Sequence, residues 1–299
     1  MKDILVIGGS TGTGKSDIAV QCALKMNGEV ISADSMQIYK GMNVGTAKIS
    51  QAEMQGIPHH MIDIVSPREP FSVSDYKKIA VPLVREIKSK GKLPIVCGGT
   101  GMYIDSLLYD MSYSGEYDPT LRASLMAELE EKGKEQMHQK LSECDPNAAA
   151  RLHVNDTKRV VRAIEKAMTG GKAEDDFAKP LFSCKIYVIT RPREILYDRI
   201  GRRVDRMMAG GLKKEVDDLL ASGVSYDDQA MQAIAYKEWK LLSEGKSTEE
   251  VVALIKKNTR NYAKRQITWF KRYKDATVID AEGKNAEIIA DFIAKDFYQ

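Results

Sequence analysis

The sequence predicts an α/β protein: a parallel sheet with helices on both faces and an all-helical subdomain inserted between two strands. Three observations indicate this fold. Short apolar runs alternate with helical patterns in the N-terminal part, strand patterns are absent between residues 118 and 171, and a strand pattern returns at residue 184. We therefore predict a first part of the core at 1–113, a helical insertion at 114–176, and the second part of the core at 177–299.

The elements of the first part follow from apolar runs and their punctuation. Buried parallel strands are typically short and apolar throughout, and helices start at capping residues. The first helix is predicted from about Lys15, after a glycine-rich turn, and the next opens at a capping box formed by Ser72 and Asp75. The predicted strands are Ile4–Ile7, Val30–Ser32 (ending at Asp34) and Leu93–Cys97.

The insertion and the second part have equally clear signals. Asp118 followed by Pro119 is a typical helix start, and every strong segment from there to Gly171 has a helical pattern, interrupted at Gly133. Strand character returns at Cys184–Ile189 and, after long helices, at Thr277–Ile279 as a last edge strand.

Composition excludes several classes of protein. With 299 residues, 43% hydrophobic and 29% charged, the chain has the composition of a folded globular protein. No apolar run approaches the ~20 residues of a membrane-spanning helix, and no secretory signal is predicted. The four cysteines lie far apart without CxxC spacing. We expect a cytoplasmic protein with no membrane association, no disulfide framework and no structural zinc site.

Basic residues concentrate in the second half of the chain. The first 150 residues carry 16 basic and 19 acidic side chains, and the remainder carry 29 and 23. This asymmetry indicates a localised surface for a polyanion, although a solvated charged face would have the same composition.

A complete phosphate-binding motif lies between the first strand and the first helix. The pattern GxxxxGK[ST] is a P-loop, so the predicted core is P-loop NTPase-like. Its glycines let backbone amides turn towards one anion, Lys15 can reach a terminal phosphate, and the Ser16 hydroxyl can ligate Mg²⁺. The motif alone does not identify the phosphate compound, and the predicted phosphate-binding residues are Gly9, Ser10, Thr11, Gly12, Thr13, Gly14, Lys15 and Ser16.

Asp34 lies beside this loop, at the carboxyl end of the second predicted strand, where α/β sheets bind their ligands. It can act as a base, as a magnesium ligand, or only as a cap of the following segment. The residues after it add hydroxyl and amide groups that can bind the edge of a nucleobase: Ser35, Met36 and Gln37.

A basic arc is predicted on one helix of the insertion. At 100° per residue, Lys158, Arg159, Arg162 and Lys166 share one side and apolar residues face the other. Such an arc can bind phosphates, or it can be a solvated face. His59 and His60 are a tempting metal pair, but we predict a packing and hydrogen-bonding role for them.

Blocks in family order strongly resemble the tRNA dimethylallyltransferases (tRNA isopentenyltransferases) over nearly the whole chain. They are GSTGTGKS, DSMQIYKGM after Ala33, GTAK at 45–48, PHH at 58–60, GGTGMY at 98–103, DTKRVVRA at 156–163, MQAIAYKE at 231–238 and AKRQITW at 263–269.

The resemblance implies transfer of a dimethylallyl group from dimethylallyl diphosphate to N6 of the adenine just 3′ of a tRNA anticodon, with Mg²⁺ held through Ser16. It implies catalytic roles for Asp34 as the base and for Thr11, Lys15 and Arg203 around the diphosphate. The partners expected are the tRNA anticodon stem-loop and dimethylallyl diphosphate, and a monomer is expected. The implied tRNA contacts are Asp34, Ser35, Met36, Gln37, Thr100, Arg122, Lys158, Arg159, Val160, Val161, Arg162, Gln232, Tyr236 and Lys237.

The chain departs from the family pattern in two places. Ala235 stands where the family usually has glycine before Tyr236, and the stretch 172–183 is shorter than the family norm. Three other functions stay open: a small-molecule P-loop kinase, a non-catalytic RNA-binding protein, and an adenylate prenyltransferase, which would share the loop and Asp34 but would not need the basic insertion.

Overall fold

The computed structural model describes residues 2–111, 118–170 and 179–299. The chain forms two compact units: a core unit, Met1–Leu108 with Leu181–Gln299, and a helical unit, Tyr109–Pro180. The predicted segment boundaries at 113/114 and 176/177 fall on residues outside the described part of the chain.

The core unit contains a six-stranded sheet in which every pair of neighbouring strands is parallel. The strands are β1 (Ile4–Gly9), β2 (Gly28–Ser32), β3 (His59–His60), β4 (Leu93–Gly98), β5 (Cys184–Thr190) and β6 (Thr277–Asp280). Their order across the sheet is β3-β2-β4-β1-β5-β6. The predicted strands are confirmed, including the edge strand β6. The two-residue β3 was not predicted, because two histidines carry no apolar strand signal.

Helices account for most of the remaining described residues. They are α1 (Lys15–Met26), α2 (Gln51–Met54), α3 (Val73–Ser89), α4 (Gly101–Leu108), α5 (Pro119–Cys144), α6 (Pro146–Arg151), α7 (Thr157–Met168), α8 (Arg193–Ala209), α9 (Leu212–Ala221), α10 (Thr248–Phe270) and α11 (Ala286–Phe297), with 3₁₀ helices at Ala230–Gln232 and Lys237–Leu242. The capping box of Ser72 and Asp75 forms at the start of α3 as predicted.

Both faces of the sheet are covered. Leu5 and Ile7 point to one face and pack in a cluster with side chains of α1 and α11. Gly8 lies on the other face, where a Cβ atom would come within 2.3 Å of the Phe270 ring on α10. The predicted fold class, a parallel α/β sheet with helices on both faces and an inserted helical segment, is confirmed.

The helical unit has its own apolar core. Side chains of α5, α6 and α7 form it, among them Leu125, Leu141, Val160, Val161 and Ile164. The helical path of α5 is broken at Gly133, whose φ of 81° and ψ of 171° are not helical. This is the interruption that the glycine predicts.

Both histidines of the predicted pair make hydrogen bonds. His60 Nε2 lies 2.7 Å from Glu29 Oε2, and His59 Nδ1 lies 2.9 Å from the Ile57 carbonyl oxygen. No helix among the described ranges combines the length and the apolar character that crossing a bilayer requires.

Candidate active site

The P-loop forms the turn between β1 and α1. Gly12 and Gly14 have φ angles of 85° and 91°, a left-handed conformation that glycine adopts without steric cost. The Thr13 hydroxyl donates to the Ser10 carbonyl at 2.9 Å and fixes the turn from inside. The loop is therefore shaped by the residue types that the motif requires.

Lys15 is half-buried at the start of α1. Its Nζ lies 3.4 Å from the Ser10 carbonyl oxygen, so the ammonium group is folded over the loop. Burial lowers its pKa, while the neighbouring Cys97 and Asp34 act in the opposite direction and Arg203 adds to the lowering. A desolvated cation of this kind gains strongly from a bound anion.

The P-loop and α8 enclose a cavity of about 630 Å³, which we call the arginine cavity. Arg199 Nε donates to the Gly12 carbonyl at 2.8 Å, and Arg203 Nη2 donates to the Thr46 carbonyl at 3.0 Å. Burial lowers the pKa of both guanidinium groups, and the neighbouring Arg206 adds to the lowering in each. The lining includes Gly12, Gly14, Lys15, Ser16, Arg199, Arg202, Arg203 and Arg206.

A second cavity of about 260 Å³ contains Asp34, and we call it the carboxylate cavity. Three residues line both cavities: Lys15, Arg203 and Met207. Asp34 Oδ1 accepts a hydrogen bond from the Met36 amide at 2.9 Å. Among the described residues, Asp34 makes no further side-chain hydrogen bond. The structure thus places a carboxylate with spare acceptor capacity next to two cations.

The turn after β4 fixes the position of Asp34. Gly98 passes so close to Ala33 that a Cβ atom would lie 2.1 Å from the Ala33 carbonyl oxygen. The Thr100 amide donates to that same oxygen at 3.0 Å. The Thr100 hydroxyl accepts from the Ser35 amide at 3.1 Å. Thr100, a predicted tRNA contact, therefore holds the segment on either side of Asp34.

Gln266 is a site residue that the sequence did not indicate. Its Oε1 accepts from the Thr11 amide at 2.8 Å, and its Nε2 donates to the Gly99 carbonyl at 2.9 Å. This buried amide ties the P-loop to the turn after β4. The sequence did carry one signal: Gln266 is a polar residue on the same face of α10 as Ala263 and Phe270, which are both buried.

The structure distributes the predicted diphosphate residues around the two cavities. Thr11 lines the carboxylate cavity, and Gly12, Gly14, Lys15 and Ser16 line the arginine cavity. Gly9, Ser10 and Thr13 line neither cavity and shape the turn instead. Arg203 lies where the two cavities meet.

Ser35 and Met36 line the carboxylate cavity beside Asp34, as do Gln232 and Lys237. Gln37 does not, because its Nε2 donates to the carbonyl groups of Thr46 and Ala47 at 3.5 and 3.4 Å. A side chain predicted to bind a base edge therefore supports the neighbouring loop.

Tyr236 also differs from its predicted role. The side chain is fully buried, and its hydroxyl donates to Glu215 Oε1 at 2.6 Å. The Tyr236 ring is thus packed inside the protein and offers no exposed surface, whereas the nearby Gln232 and Lys237 are exposed. Ala235, before it, has a φ of 78°.

The remaining predicted tRNA contacts lie in the helical unit. Lys158 and Arg159 are exposed on α7, with Arg159 3.2 Å from Asp156. Arg122 and Arg162 are half-exposed and both pair with the buried Glu165, at 3.0 and 2.8 Å. Val160 and Val161 are buried in the core of this unit, so their side chains do not form a tRNA surface.

The donor groups around Ser16 fit a magnesium ion. Asp17 and Glu53 line the arginine cavity with the exposed Ser16 hydroxyl. Burial raises the pKa of Asp17, and the nearby Glu53 adds to this rise. Mg²⁺ prefers a few protein oxygens together with phosphate oxygens and water. Over the residues that the structure describes, no cluster of three or more His, Cys, Asp or Glu side chains is arranged to hold a metal alone.

Comparisons with known proteins agree with one another. The IPP transferase family model matches residues 37–273. A tRNA dimethylallyltransferase of Alkaliphilus oremlandii is 45% identical over 99% of this chain and 97% of its own length. The tRNA dimethylallyltransferase of Bacillus subtilis is 42% identical over 98% of this chain and 97% of its own length.

Solved structures give the same result. The full-length tRNA isopentenylpyrophosphate transferase of Bacillus halodurans superposes with a TM-score of 0.75 at 39% identity, over 100% of this chain and 97% of that one. A eukaryotic dimethylallyltransferase acting on tRNA superposes with a TM-score of 0.83 at 30% identity, over 100% of this chain and 80% of that one. On the family-model match and these near-full-length similarities, the chain belongs to the IPP transferase family.

Proposed function

We propose that the protein transfers a dimethylallyl group from dimethylallyl diphosphate to the exocyclic N6 of the adenine 3′-adjacent to the anticodon in tRNA, releasing diphosphate. The observation that carries the proposal is the meeting of the two cavities at Lys15 and Arg203, with Asp34 on one side and the P-loop on the other. Membership of a family of tRNA dimethylallyltransferases supports the same reaction.

In this proposal the diphosphate occupies the arginine cavity. The bond between C1 of the allyl group and the diphosphate oxygen breaks, and its electron pair stays on the diphosphate. Lys15, Arg203 and the P-loop amides stabilise this developing charge, and the burial of the two cations strengthens the interaction. Thr11, which lines the carboxylate cavity, lies towards the reacting end of the diphosphate.

The adenine enters the carboxylate cavity, and N6 attacks C1 of the allyl group. Asp34 accepts the proton that N6 loses, because an exocyclic amine becomes acidic only as the new C–N bond forms. The adenine must leave its stack to reach this position, and Ser35, Met36, Gln232 and Lys237 line the space that would receive it.

Mg²⁺ is the cofactor we propose, because the oxygen donors at Ser16, Asp17 and Glu53 suit it. When bound there it would neutralise part of the charge of the diphosphate. Ser16 is the residue proposed to hold it, as P-loop hydroxyl groups do.

The helical unit supplies the proposed contacts to the anticodon stem-loop, through Lys158, Arg159, Arg162 and Arg122. Phosphate contacts from such residues give affinity that depends on salt and hardly on sequence. We further propose that the protein is a monomer and that it works in the cytoplasm. All four cysteines are free thiols, as a reducing compartment would keep them.

The test is prenyl transfer to a synthetic anticodon stem-loop with adenine 3′ of the anticodon, followed by mass spectrometry. Lys15→Ala should lose transfer by on the order of 10²–10³-fold, the scale of one lost charge-stabilising group. Steady hydrolysis of ATP without prenyl transfer would overturn the proposal in favour of the kinase alternative.

A further inference from the structure

Glu215, on α9, accepts four hydrogen bonds from two distant parts of the core unit. Oε2 accepts from the amides of Asn43 and Val44 at 2.8 and 2.7 Å. Oε1 accepts from the Gly45 amide at 3.0 Å and from the Tyr236 hydroxyl at 2.6 Å. A carboxylate has about four acceptor sites, so this group is saturated by protein donors. Glu215 lines neither cavity, so it does not act on a substrate directly.

The loop that Glu215 holds forms part of both cavities. Val44 and Ala47 line the arginine cavity, and Gly45 and Thr46 line the carboxylate cavity. The Thr46 carbonyl accepts the 3.0 Å hydrogen bond from Arg203. A continuous chain of contacts therefore runs from the Glu215 carboxylate, through this loop, to the guanidinium group between the cavities.

Three consecutive amides that converge on one group form a nest for an anion. A neutral amide in place of the carboxylate would aim an NH₂ group at some of these donors and leave them unpaired. The loop also packs tightly against Tyr236, because a Cβ atom on Gly45 would lie 2.5 Å from the Tyr236 ring. The site therefore requires a negative charge and leaves little room for the loop to shift.

We propose that Glu215 is a positioning residue: by its charge it fixes the loop Asn43–Thr46 and thereby holds Arg203 in place to bind the diphosphate. This inference rests on the proposed function, in which Arg203 binds that group. Loss of the carboxylate should weaken diphosphate binding, although Glu215 never touches the ligand.

The experiment measures the affinity for inorganic diphosphate by calorimetry and the KM and kcat for dimethylallyl diphosphate. Glu215→Gln should raise the dissociation constant and the KM by ~10-fold, the scale of one charge-assisted hydrogen bond, with a smaller change in kcat. Glu215→Ala should lose more and regain part of its affinity with added formate or acetate, which can enter the vacated nest.

Val216→Ala is the matched control, because Val216 is fully buried beside Glu215 on α9 and lines neither cavity. It should lower the midpoint of thermal unfolding and leave the diphosphate affinity unchanged. If Glu215→Gln behaves like Val216→Ala, with lower stability and normal affinity, Glu215 is only structural and the proposal is wrong.

Tyr236→Phe keeps the test decisive if both Glu215 variants fail to fold. It removes one of the four donors, and a two- to threefold rise in the dissociation constant is expected; an unchanged constant would overturn the proposal. A wild-type protein that binds diphosphate but transfers no prenyl group would refute the proposed function alone, because the affinity comparison stands without transfer.

Discussion

Ala235 has a left-handed backbone conformation, with a φ of 78°, in the wall of the carboxylate cavity. An L-residue other than glycine pays about 1–2 kcal/mol for this conformation. Two neighbours hold it: the Ala235 amide donates to Glu238 Oε2, and the Trp239 indole donates to the Ala235 carbonyl, both at 2.9 Å. Glycine, the usual residue of the family here, would relieve the strain.

The net effect of Ala235→Gly on stability should nevertheless be close to zero. The substitution recovers about 1–2 kcal/mol of strain. It loses about 0.8 kcal/mol from the buried methyl group and up to about 1 kcal/mol from the greater freedom of the unfolded chain. Ala290→Gly, at a fully buried position in α11, has no strain to recover and should cost about 2 kcal/mol.

Equilibrium urea unfolding of the two variants measures this difference. We expect a free energy of unfolding within about 0.5 kcal/mol of wild type for Ala235→Gly, and a loss of about 2 kcal/mol for Ala290→Gly. Diphosphate affinity should stay normal in both. If Ala235→Gly costs as much as Ala290→Gly, the positive φ carries no strain and the reasoning fails.

Three further outcomes are expected. Asp34→Ala and Asp34→Asn should keep near-normal diphosphate affinity while single-turnover prenyl transfer falls by ~10²-fold or more; lost affinity would instead make Asp34 a metal ligand. Lys158 is exposed on α7. Lys158→Ala should reduce the slope of log tRNA affinity against log salt concentration by about one unit and leave diphosphate binding unchanged. An unchanged slope would mean that the basic arc of α7 is only a solvated face. Burial lowers the pKa of Lys15 from its usual 10.5. As the pH rises, the ammonium should therefore lose its proton, and diphosphate affinity should begin to fall, before the pH reaches 10.5. Lys15→Arg, which stays charged, should not show this fall in calorimetric titrations.

The sequence was informative wherever the physical signal is local. Apolar runs predicted β1, β2, β4, β5 and β6, because a buried parallel strand needs apolar residues on both faces. The P-loop was predicted from glycines that the turn requires at φ angles of 85° and 91°. The capping box of Ser72 and Asp75 closes over three residues and could be recognised in the same way.

Contacts between distant segments left no such signal. Glu215 lies 172 residues from Asn43 in the loop that it holds, and Gln266 lies 255 residues from Thr11. Neither residue type predicts its partner, since the fold alone brings them together. The burial of Val160 and Val161 was partly visible, because helical periodicity places them opposite the basic arc. Their assignment to tRNA came from the resemblance, which identifies a segment and not the direction of each side chain.

The charges around Asp34 decide what its removal should do. Its carboxylate favours the protonated forms of Lys15 and Arg203, against the lowering of both pKa values by burial. The same carboxylate repels a bound diphosphate across the junction of the cavities. Removing this carboxylate therefore makes the protonated forms of Lys15 and Arg203 slightly less favourable, which lowers diphosphate affinity. It also removes a repulsion, which raises diphosphate affinity, so the two effects oppose each other. The lost repulsion acts on the ligand directly, whereas the first effect acts only through the cations, so the lost repulsion should dominate and affinity should hold or rise. A magnesium ligand at this position would give the opposite sign, so the direction of the change in affinity separates a base from a metal ligand.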